Sequence, residues 1–334
     1  MKNIFFLSTG GTIASSKGEE GLTPTLNTED MMRSIPELSK LCKIKSKMIM
    51  NIDSCNMQPE DWVIIAENIF EVMEDYDGIV IAHGTGTMAY TSSALSFMLQ
   101  NINKPVVITG SQMPIGAKGT DAKKNLMDAF IVACEDIAGI FIVFDGKIIK
   151  GCRASKLRTK SFNAFESINY PYIGMINNKN IEYIYKPHFK TKEKIPKLIT
   201  AYSPNVIILK LIPGINSKIF NALMALNYKG VIIESFGGGG LPFKRHNLIP
   251  KVQEMVKKGI SVVITTQCPY EGTNLRKYEV GQKVFKKGII PAYDMTTESL
   301  VTKLMWALGQ TDDPEKIKKI MAYNYADEVK IKLG

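Results

Sequence analysis

The chain has 334 residues, of which 45% are hydrophobic and 22% are charged. This balance is ordinary for a globular protein, and the length allows two domains with well-buried cores. The formal net charge of +10 comes from scattered lysines rather than from a basic stripe with interleaved aromatic residues, so it does not predict nucleic-acid binding. No stretch approaches the roughly 18 uninterrupted apolar residues that a membrane helix needs, and the N-terminus makes a poor signal peptide. We therefore expect a cytoplasmic protein that binds neither nucleic acid nor membranes.

Cysteine and histidine usage argues against a structural metal and against a disulfide framework. The five cysteines are odd in number, widely spaced and never in a C-x-x-C pattern, and the chain has only three histidines. Structural zinc sites and disulfide scaffolds both depend on characteristic spacings of these residues. We therefore expect neither a metal site nor a cofactor.

Apolar strand candidates alternate with amphipathic helix candidates through the first half of the chain. A proline at residue 59 followed by two acids is a typical helix start, and apolar residues then recur at helical spacing as far as Met73. Strands are predicted at residues 4–7, 47–51, 79–82, 106–109 and 140–144, and further helices at 87–99 and 121–135. This alternation predicts an α/β fold with a doubly wound, mostly parallel sheet.

A break in this pattern divides the chain. The stretch around residues 186–198 is highly charged, contains two prolines and shows no periodicity. Beyond it the alternation restarts, with strands predicted at 206–209, 231–234 and 261–265 and helices at 217–226, 247–258 and 297–308. The sequence thus predicts a larger N-terminal domain (residues 1–186), a linker (187–198) and a smaller C-terminal α/β domain (199–334).

Glycines and hydroxyl residues follow several of the predicted strands. The motifs are T-G-G-T-I-A at residues 9–14, H-G-T-G-T-M-A-Y-T at 83–91, T-G-S-Q-M-P at 109–114 and R-A-S-K at 153–156. In an open α/β sheet ligands bind just beyond the carboxyl ends of the strands. Glycines allow close approach to a ligand, and hydroxyls supply nucleophiles and hydrogen bonds. T-G-G-T alone would fit a simple turn equally well, but the recurrence of such motifs favours a functional site.

These motifs resemble the L-asparaginases, threonine-dependent amidohydrolases, in their cytoplasmic type I branch. T-G-G-T-I-A and H-G-T-x-T-M-A-Y-T are the two signatures of that family, and further similarity covers nearly the whole chain, at residues 53–57, 59–62, 109–114, 125–129, 169–171, 234–237 and 266–268. Archaeal glutamyl-tRNA amidotransferase subunits share the domain but carry an extra N-terminal module. Because the first strand candidate here begins near residue 3, that alternative is weaker.

The resemblance implies three catalytic residues. Thr12 would be the nucleophile on the N-terminal loop, and Thr85 and Lys156 would form the second half of the machinery. A threonine hydroxyl needs a proton acceptor, and a lysine kept neutral by desolvation can take its proton through an intervening hydroxyl. Without the resemblance, Lys156 would be interpreted as a surface lysine of a basic loop.

The resemblance also implies how substrate binds. L-asparagine would contact Ser54 through its α-carboxylate and the Ser111 backbone carbonyl through its side-chain amide, and the other expected substrate-binding residues are Asp53, Gly84 and Gly86. Family members form homodimers or homotetramers, and type I enzymes can bind asparagine at an allosteric site, here near positions resembling Ser155 and Cys268.

Gly86 departs from the family signature, which is H-G-T-D-T. The missing aspartate pairs with the substrate α-ammonium, and no acid lies between Asp77 and Asp121. Removing one partner of a buried charge pair costs about 2–5 kcal/mol. This is roughly a 30- to several-thousand-fold loss of rate. We therefore expect an intact fold with impaired or absent activity, whether the glycine is natural or engineered.

Two alternative functions follow from this departure. Residues 84–89 now read G-x-G-x-x-A, the dinucleotide-binding fingerprint, but the acid expected about 20 residues later is missing because residues 90–120 contain no Asp or Glu. A nicotinamide-dependent enzyme is therefore disfavoured. The other alternative is a non-catalytic asparagine-binding protein on the same scaffold.

Overall fold

The computed structural model describes residues 1–18, 21–185, 195–275 and 288–330. It divides into two compact units, Met1–Thr200 and Ala201–Gly334. The first contains an eight-stranded, mostly parallel sheet and the second a four-stranded parallel sheet. The predicted two-domain α/β fold, with the larger domain first, is confirmed.

The first unit is built around parallel strands whose side chains are buried. Its large sheet has the order β13-β12-β9-β8-β7-β5-β1-β4. Strands β4, β1, β5, β7 and β8 pair in parallel, and β9, β12 and β13 continue the sheet through antiparallel pairings. The bounds of these strands are β1 Asn3–Gly10, β4 Lys43–Ile52, β5 Gly78–Ala82, β7 Pro105–Thr109, β8 Gly139–Phe144, β9 Lys147–Lys150, β12 Gly174–Asn177 and β13 Asn180–Tyr183. Every residue of β5 and β7 is buried, as a continuous apolar run in a central parallel strand predicts.

Smaller elements complete the first unit. Three short strand pairs flank the sheet: β2 Ser15–Gly18 with β3 Gly21–Pro24, β6 Leu99–Gln100 with β14 Lys197–Leu198, and β10 Ala154–Lys156 with β11 Phe165–Ser167. The helices are α1 Thr28–Arg33, α2 Leu38–Leu41, α3 Pro59–Val72, α4 Met88–Met98 and α5 Ala122–Ala133, and short 3-10 helices lie at Thr12–Ala14, Ser54–Asn56 and Gly151–Arg153.

Helix α3 begins and ends where the sequence predicts. Pro59 occupies its first turn, and the Asp61 carboxylate accepts a hydrogen bond from the Gln58 N–H at 2.8 Å, which satisfies a backbone group at the start of the helix. The apolar residues at helical spacing are buried, among them Trp62, Ile65 and Ile69. This helix therefore packs through the face that its periodicity identifies.

The second unit repeats the α/β arrangement on a smaller scale. Strands β15 Val206–Lys210, β16 Gly230–Ser235, β17 Ser261–Thr266 and β18 Ile290–Pro291 pair in that order, with helices α6 Lys218–Ala225, α7 Ile249–Lys257, α8 Thr297–Gln310 and α9 Pro314–Ala322. Buried residues such as Phe220, Val231, Val252 and Ile264 form its core.

Most of the predicted linker, residues 187–194, lies outside the described residues. Further along, β14 pairs antiparallel with β6, and the Ile199 N–H donates to the Met98 carbonyl at 2.8 Å. These contacts attach the end of the predicted linker to the first unit, and the division between the units falls after Thr200. Along the described residues, no helix has both the length and the apolar character to cross a membrane.

The second unit contains a fully buried ion pair near the end of the chain. Lys303 Nζ donates to Glu328 Oε1 at 2.5 Å and to the carbonyls of Met321 and Tyr323, and both charged side chains are inaccessible to solvent. Glu328 also accepts hydrogen bonds from the backbone N–H groups of Tyr325 and Ala326. Each charge is thus compensated, and the pair fastens the segment after α9 to α8.

We predict that Glu328→Gln destabilises the second unit by about 3–5 kcal/mol, because it leaves the Lys303 ammonium buried without its counter-charge. Urea unfolding of the full chain measures the loss. The matched control is Asp312→Asn, which breaks the exposed Lys229–Asp312 pair and should cost about 0–1 kcal/mol. Equal effects of the two substitutions would contradict the role given to the buried pair.

Candidate active site

Four loops follow the carboxyl ends of neighbouring parallel strands in the first unit. The strands are adjacent in the order β7-β5-β1-β4, and their loops contain the T-G-S-Q-M-P, H-G-T-G-T, T-G-G-T and D-S-C-N motifs, respectively. Since parallel strands end at the same edge of a sheet, these motifs share one edge. This is the position at which ligands bind in open α/β sheets.

Glycines allow three of these loops to approach one another closely. A Cβ placed on Gly11 would lie 2.4 Å from the Gly84 Cα, and one on Gly84 would lie 2.6 Å from the Ser54 Cβ. Gly11 also has a φ of 80°, which favours glycine. Larger residues at either position would separate the loops, so the glycines bring the segments of Thr12 and Thr85 together.

Thr85 is in direct contact with Lys156. The Lys156 Nζ donates to Thr85 Oγ1 at 2.7 Å, although the two residues are 71 positions apart in the chain. Lys156 ends strand β10, whose pairing with β11 sets it opposite Phe165. Burial lowers the pKa of the half-buried Lys156 amine, and nearby Cys55 opposes that shift. A lysine with a lowered pKa beside a hydroxyl is suited to accept a proton from that hydroxyl.

Ser54 connects the loop after β4 to the loop after β5. Its buried hydroxyl accepts a hydrogen bond from the Gly86 N–H at 3.2 Å, and its carbonyl accepts one from Thr87 Oγ1 at 2.9 Å. Asp53 caps the 3-10 helix that Ser54 begins, because its carboxylate accepts from the Cys55 N–H at 2.8 Å. The predicted residues Asp53, Ser54 and Gly86 therefore belong to one hydrogen-bonded group.

Gly86 is not required by its backbone conformation. It is exposed and does not adopt a positive φ, and a Cβ built there would meet only Ser54 Oγ, at 3.0 Å. A small movement of the serine hydroxyl would accommodate that contact. A larger side chain at residue 86 would therefore begin beside Ser54 without displacing the backbone.

The structure brings the other two predicted residues to the same strand ends. Thr12 is half-buried and begins the 3-10 helix that directly follows Gly11. Ser111 is buried in the loop after β7, where its hydroxyl donates to the Met113 carbonyl at 2.5 Å. The Ile115 N–H donates to the Ile13 carbonyl at 3.3 Å and so joins these two loops.

His83 is a structural residue to which the sequence patterns assigned no role. It is fully buried, and its Nδ1 donates to the Gly84 carbonyl at 2.7 Å while its Nε2 accepts from Thr91 Oγ1 at 2.9 Å. Burial lowers its pKa to about 4, so the ring is neutral near pH 7. In this single tautomer the ring holds the carbonyl of Gly84. In the sequence, the position of His83 at the start of the second signature was the feature that could have indicated this role.

Asp121 and Asn125 hold the loop that carries Ser111. The Asp121 carboxylate accepts from the N–H groups of Gln112 and Met113 at 2.9 and 3.1 Å. Asn125 donates to the Gly110 carbonyl at 3.0 Å and to Asp121 at 3.1 Å. Gln112, fixed in this way, accepts a long hydrogen bond of 3.4 Å from Thr85 Oγ1.

Two family models together match most of the chain. Residues 3–189 match the model described as Asparaginase, N-terminal, and residues 205–321 match the Glutaminase/Asparaginase C-terminal domain.

Curated relatives give a consistent result. The chain is 43% identical to an L-asparaginase of Thermococcus kodakarensis over 98% of each chain. It is 35% identical to a glutamyl-tRNA(Gln) amidotransferase subunit of Pyrococcus abyssi, covering 98% of this chain and 77% of that protein.

Solved structures of asparaginases share the fold. The thermostable L-asparaginase from Thermococcus kodakarensis superposes with a TM-score of 0.92 at 42% identity, over 99% of this chain and 100% of the other. L-asparaginase I from Vibrio cholerae gives 0.90 at 30% identity over 99% of both chains. A probable cytoplasmic L-asparaginase from Campylobacter jejuni gives 0.81 at 26% identity, over 97% and 100%. With both domain models and a full-length relative in agreement, this chain belongs to the asparaginase family.

Proposed function

We propose that the protein hydrolyses L-asparagine to L-aspartate and ammonia through a covalent acyl-enzyme on Thr12. The observation that carries the proposal is the 2.7 Å hydrogen bond between Lys156 and Thr85, at the strand end where the backbones of Gly11 and Gly84 are in contact. The full-length match to an L-asparaginase favours this substrate over the amidotransferase reaction, for which the identity is lower.

Each proposed step uses a group in this arrangement. The Thr12 hydroxyl attacks the side-chain amide carbon of asparagine, and Thr85 passes the proton to the neutral Lys156 amine. The protonated Lys156 then returns this proton to the amide nitrogen as the C–N bond breaks, so that ammonia leaves and an ester on Thr12 remains. Water hydrolyses this ester, which releases L-aspartate and restores the Thr12 hydroxyl. Ser54 binds the substrate α-carboxylate, with Asp53, Gly84 and Gly86 lining the same subsite, and the Ser111 carbonyl accepts from the side-chain amide.

Gly86 should slow the reaction because it provides no counter-charge for the α-ammonium group of the substrate. The signature that this chain resembles places an aspartate there, and nothing in the sequence between Asp77 and Asp121 replaces it. The substrate ammonium therefore loses its counter-charge while the groups that attack the amide remain. The proposed enzyme is an impaired asparaginase with an intact catalytic centre.

The missing carboxylate also favours a second candidate, a protein that binds asparagine without turning it over. Ammonia release from L-asparagine, measured beside calorimetric binding of the same ligand, distinguishes the two. Release of ammonia supports the enzyme, and binding without release supports the second candidate. If the protein neither binds asparagine nor releases ammonia from it, both candidates are contradicted.

The assembly and location of the protein are part of the proposal. Family members are expected to be homodimers or homotetramers, and light scattering of the purified protein measures which of these forms. A cytoplasmic location is supported by the similarity to the Campylobacter jejuni protein, which is described as a probable cytoplasmic L-asparaginase.

We predict that Gly86→Asp raises kcat/KM for L-asparagine at least roughly tenfold, because it gives the substrate ammonium a counter-charge. Residue 86 is exposed without a ligand, and a charge pair that the bound substrate covers is worth about 2–5 kcal/mol. Ammonia-release kinetics measure the change. Gly86→Asn is the matched control, since asparagine has the same shape as aspartate without the charge. It should raise kcat/KM much less than the aspartate does. A turnover unchanged by the aspartate would show that the missing carboxylate does not limit this protein.

We predict that kcat/KM rises with pH and levels off below pH 10.5, the ordinary lysine pKa, because Lys156 must be neutral to accept a proton and burial lowers its pKa. Lys156→Arg should abolish activity, since a guanidinium stays protonated. Lys160→Arg, a change at an exposed lysine four residues later, should keep both rate and profile. The same pH profile in the unsubstituted protein and in both variants would show that Lys156 does not accept the proton.

A further inference from the structure

The short hairpin that carries the proposed proton acceptor lies outside the large sheet. Strand β10 ends at Lys156 and, among the described strands, pairs only with β11, through three residue pairs. The next main-chain hydrogen bond, from the Leu157 N–H to the Ala164 carbonyl at 2.8 Å, also lies within this hairpin. These bonds hold β10 to β11 but do not fix the hairpin relative to the strand ends where Thr85 lies.

The Glu166 side chain, on β11, connects this hairpin to the large sheet. Its carboxylate accepts hydrogen bonds from Lys147 Nζ at 3.2 and 3.3 Å, and Lys147 begins strand β9. It also accepts a hydrogen bond from Arg158 Nη1 at 2.8 Å, and Arg158 follows Lys156 by two residues. A further hydrogen bond comes from the Tyr172 hydroxyl, just before strand β12. Because β9 and β12 pair in the large sheet, one carboxylate joins that sheet to both sides of the hairpin.

The charged groups of this cluster are largely withdrawn from solvent. The side chains of Glu166 and Lys147 are 16% and 14% exposed, and Lys147 Nζ also lies 5.3 Å from the centre of the Tyr172 ring. Although burial opposes the shift, hydrogen bonds from Tyr172, Arg158 and Lys147 hold the pKa of Glu166 below its ordinary value. The carboxylate is therefore ionised near pH 7, and charge-assisted hydrogen bonds of this kind are stronger than neutral ones.

The register of the hairpin places this cluster next to Lys156. Lys156 lies directly opposite Phe165, and Glu166 is the next residue along β11. Successive side chains of a strand point to opposite faces, so Phe165 and Glu166 restrain the two faces of the hairpin. The buried Phe165 ring packs on Phe144 of β8, with the ring centres 5.0 Å apart. The hairpin is thus held by an apolar contact on one face and by the Glu166 carboxylate on the other.

The loop between β10 and β11 is also attached at both of its ends. On the side of the cluster, Arg158 Nη1 donates to the Asn163 carbonyl at 2.9 Å as well as to the carboxylate. On the side of the candidate active site, Gln112 Nε2 donates to the Ser161 carbonyl at 3.1 Å. Gln112 is the residue that accepts the long hydrogen bond from Thr85. Loss of the carboxylate would release one attachment of this loop and leave the other in place.

We propose that Glu166 is a positioning residue for Lys156, because its carboxylate fixes the hairpin so that the lysine amine meets Thr85 Oγ1. The inference rests on the proposed function, in which Lys156 accepts the proton that Thr85 passes on. The hydrogen bond between the two side chains is 2.7 Å long, and a displacement of about 1 Å would break it. Misplacing a catalytic group by about 1 Å can lower a rate roughly 100-fold.

The direct test is a crystal structure of the full chain with Glu166→Gln, which keeps the size of the side chain and removes its charge. Lys147 and Arg158 then lose their shared counter-charge. We expect the distance from Lys156 Nζ to Thr85 Oγ1 to exceed about 3.5 Å, beyond hydrogen-bonding range. A distance that stays near 2.7 Å would overturn the proposal. This measurement needs no turnover, so it does not depend on whether the protein hydrolyses asparagine.

Ammonia-release kinetics give a second measurement. Because Ser54 and Gly86 lie on other loops, Glu166→Gln should lower kcat for L-asparagine at least roughly tenfold and change KM less than about twofold. Glu166→Asp keeps the carboxylate on a shorter side chain and should recover part of the lost kcat. The matched control, Glu182→Gln, removes an exposed carboxylate from β13 and should leave both constants unchanged. Equal falls in kcat for the two glutamine variants, or an effect on KM alone, would contradict the positioning role.

The two measurements separate this inference from the proposed function. If the unsubstituted protein releases no ammonia, the proposed function is contradicted, while the distance from Lys156 to Thr85 in Glu166→Gln still tests the positioning role. A lowered kcat with an unchanged distance overturns the positioning role alone. If Glu166→Gln does not fold, Glu166→Asp takes its place in the crystal structure. A lengthened distance in that variant supports the proposal, and an unchanged distance overturns it.

Discussion

The backbone contact between Gly11 and Gly84 is the constraint on which the candidate site depends. Each glycine follows a buried strand and leaves no room for a side chain, so the loops after β1 and β5 meet directly. Thr12 and Thr85 follow these glycines by one residue. The position of both hydroxyls is therefore a consequence of strand pairing, and any side chain at Gly11 or Gly84 would separate them.

Around this contact, side chains that have no proposed role in the reaction hold nearby backbone groups by hydrogen bonds. His83 holds the Gly84 carbonyl, and Asp121 and Asn125 hold the loop of Ser111. These side chains are buried, and their partners are backbone groups that would otherwise lack hydrogen bonds. Such support fixes a site before a ligand arrives, which is how catalytic geometry is preorganised. In the proposed function, the missing charge at Gly86 is the one departure from this framework.

Much of this arrangement could be predicted from the sequence, for physical reasons that differ between elements. Helix α3 and strand β5 follow from local patterns, because proline at a helix start and a continuous apolar run each specify one structure. The antiparallel strands β12 and β13 were missed, since four-residue strands of mixed exposure carry no clear periodicity. Thr85 and Lys156 were placed by resemblance to a family, and their contact depends on pairing between segments 71 residues apart. The contact of Lys303 with Glu328 has no signal in the sequence for the same reason.

The most direct test of the proposed site is a crystal structure of the protein with L-asparagine or L-aspartate bound. We expect the Thr12 hydroxyl to lie about 3–3.5 Å from the side-chain carbonyl carbon of the ligand, on the side where Thr85 and Lys156 meet. We also expect the α-carboxylate of the ligand at Ser54. A ligand bound elsewhere, or a carbonyl carbon within reach of neither threonine, would contradict the convergence of these loops on one amide.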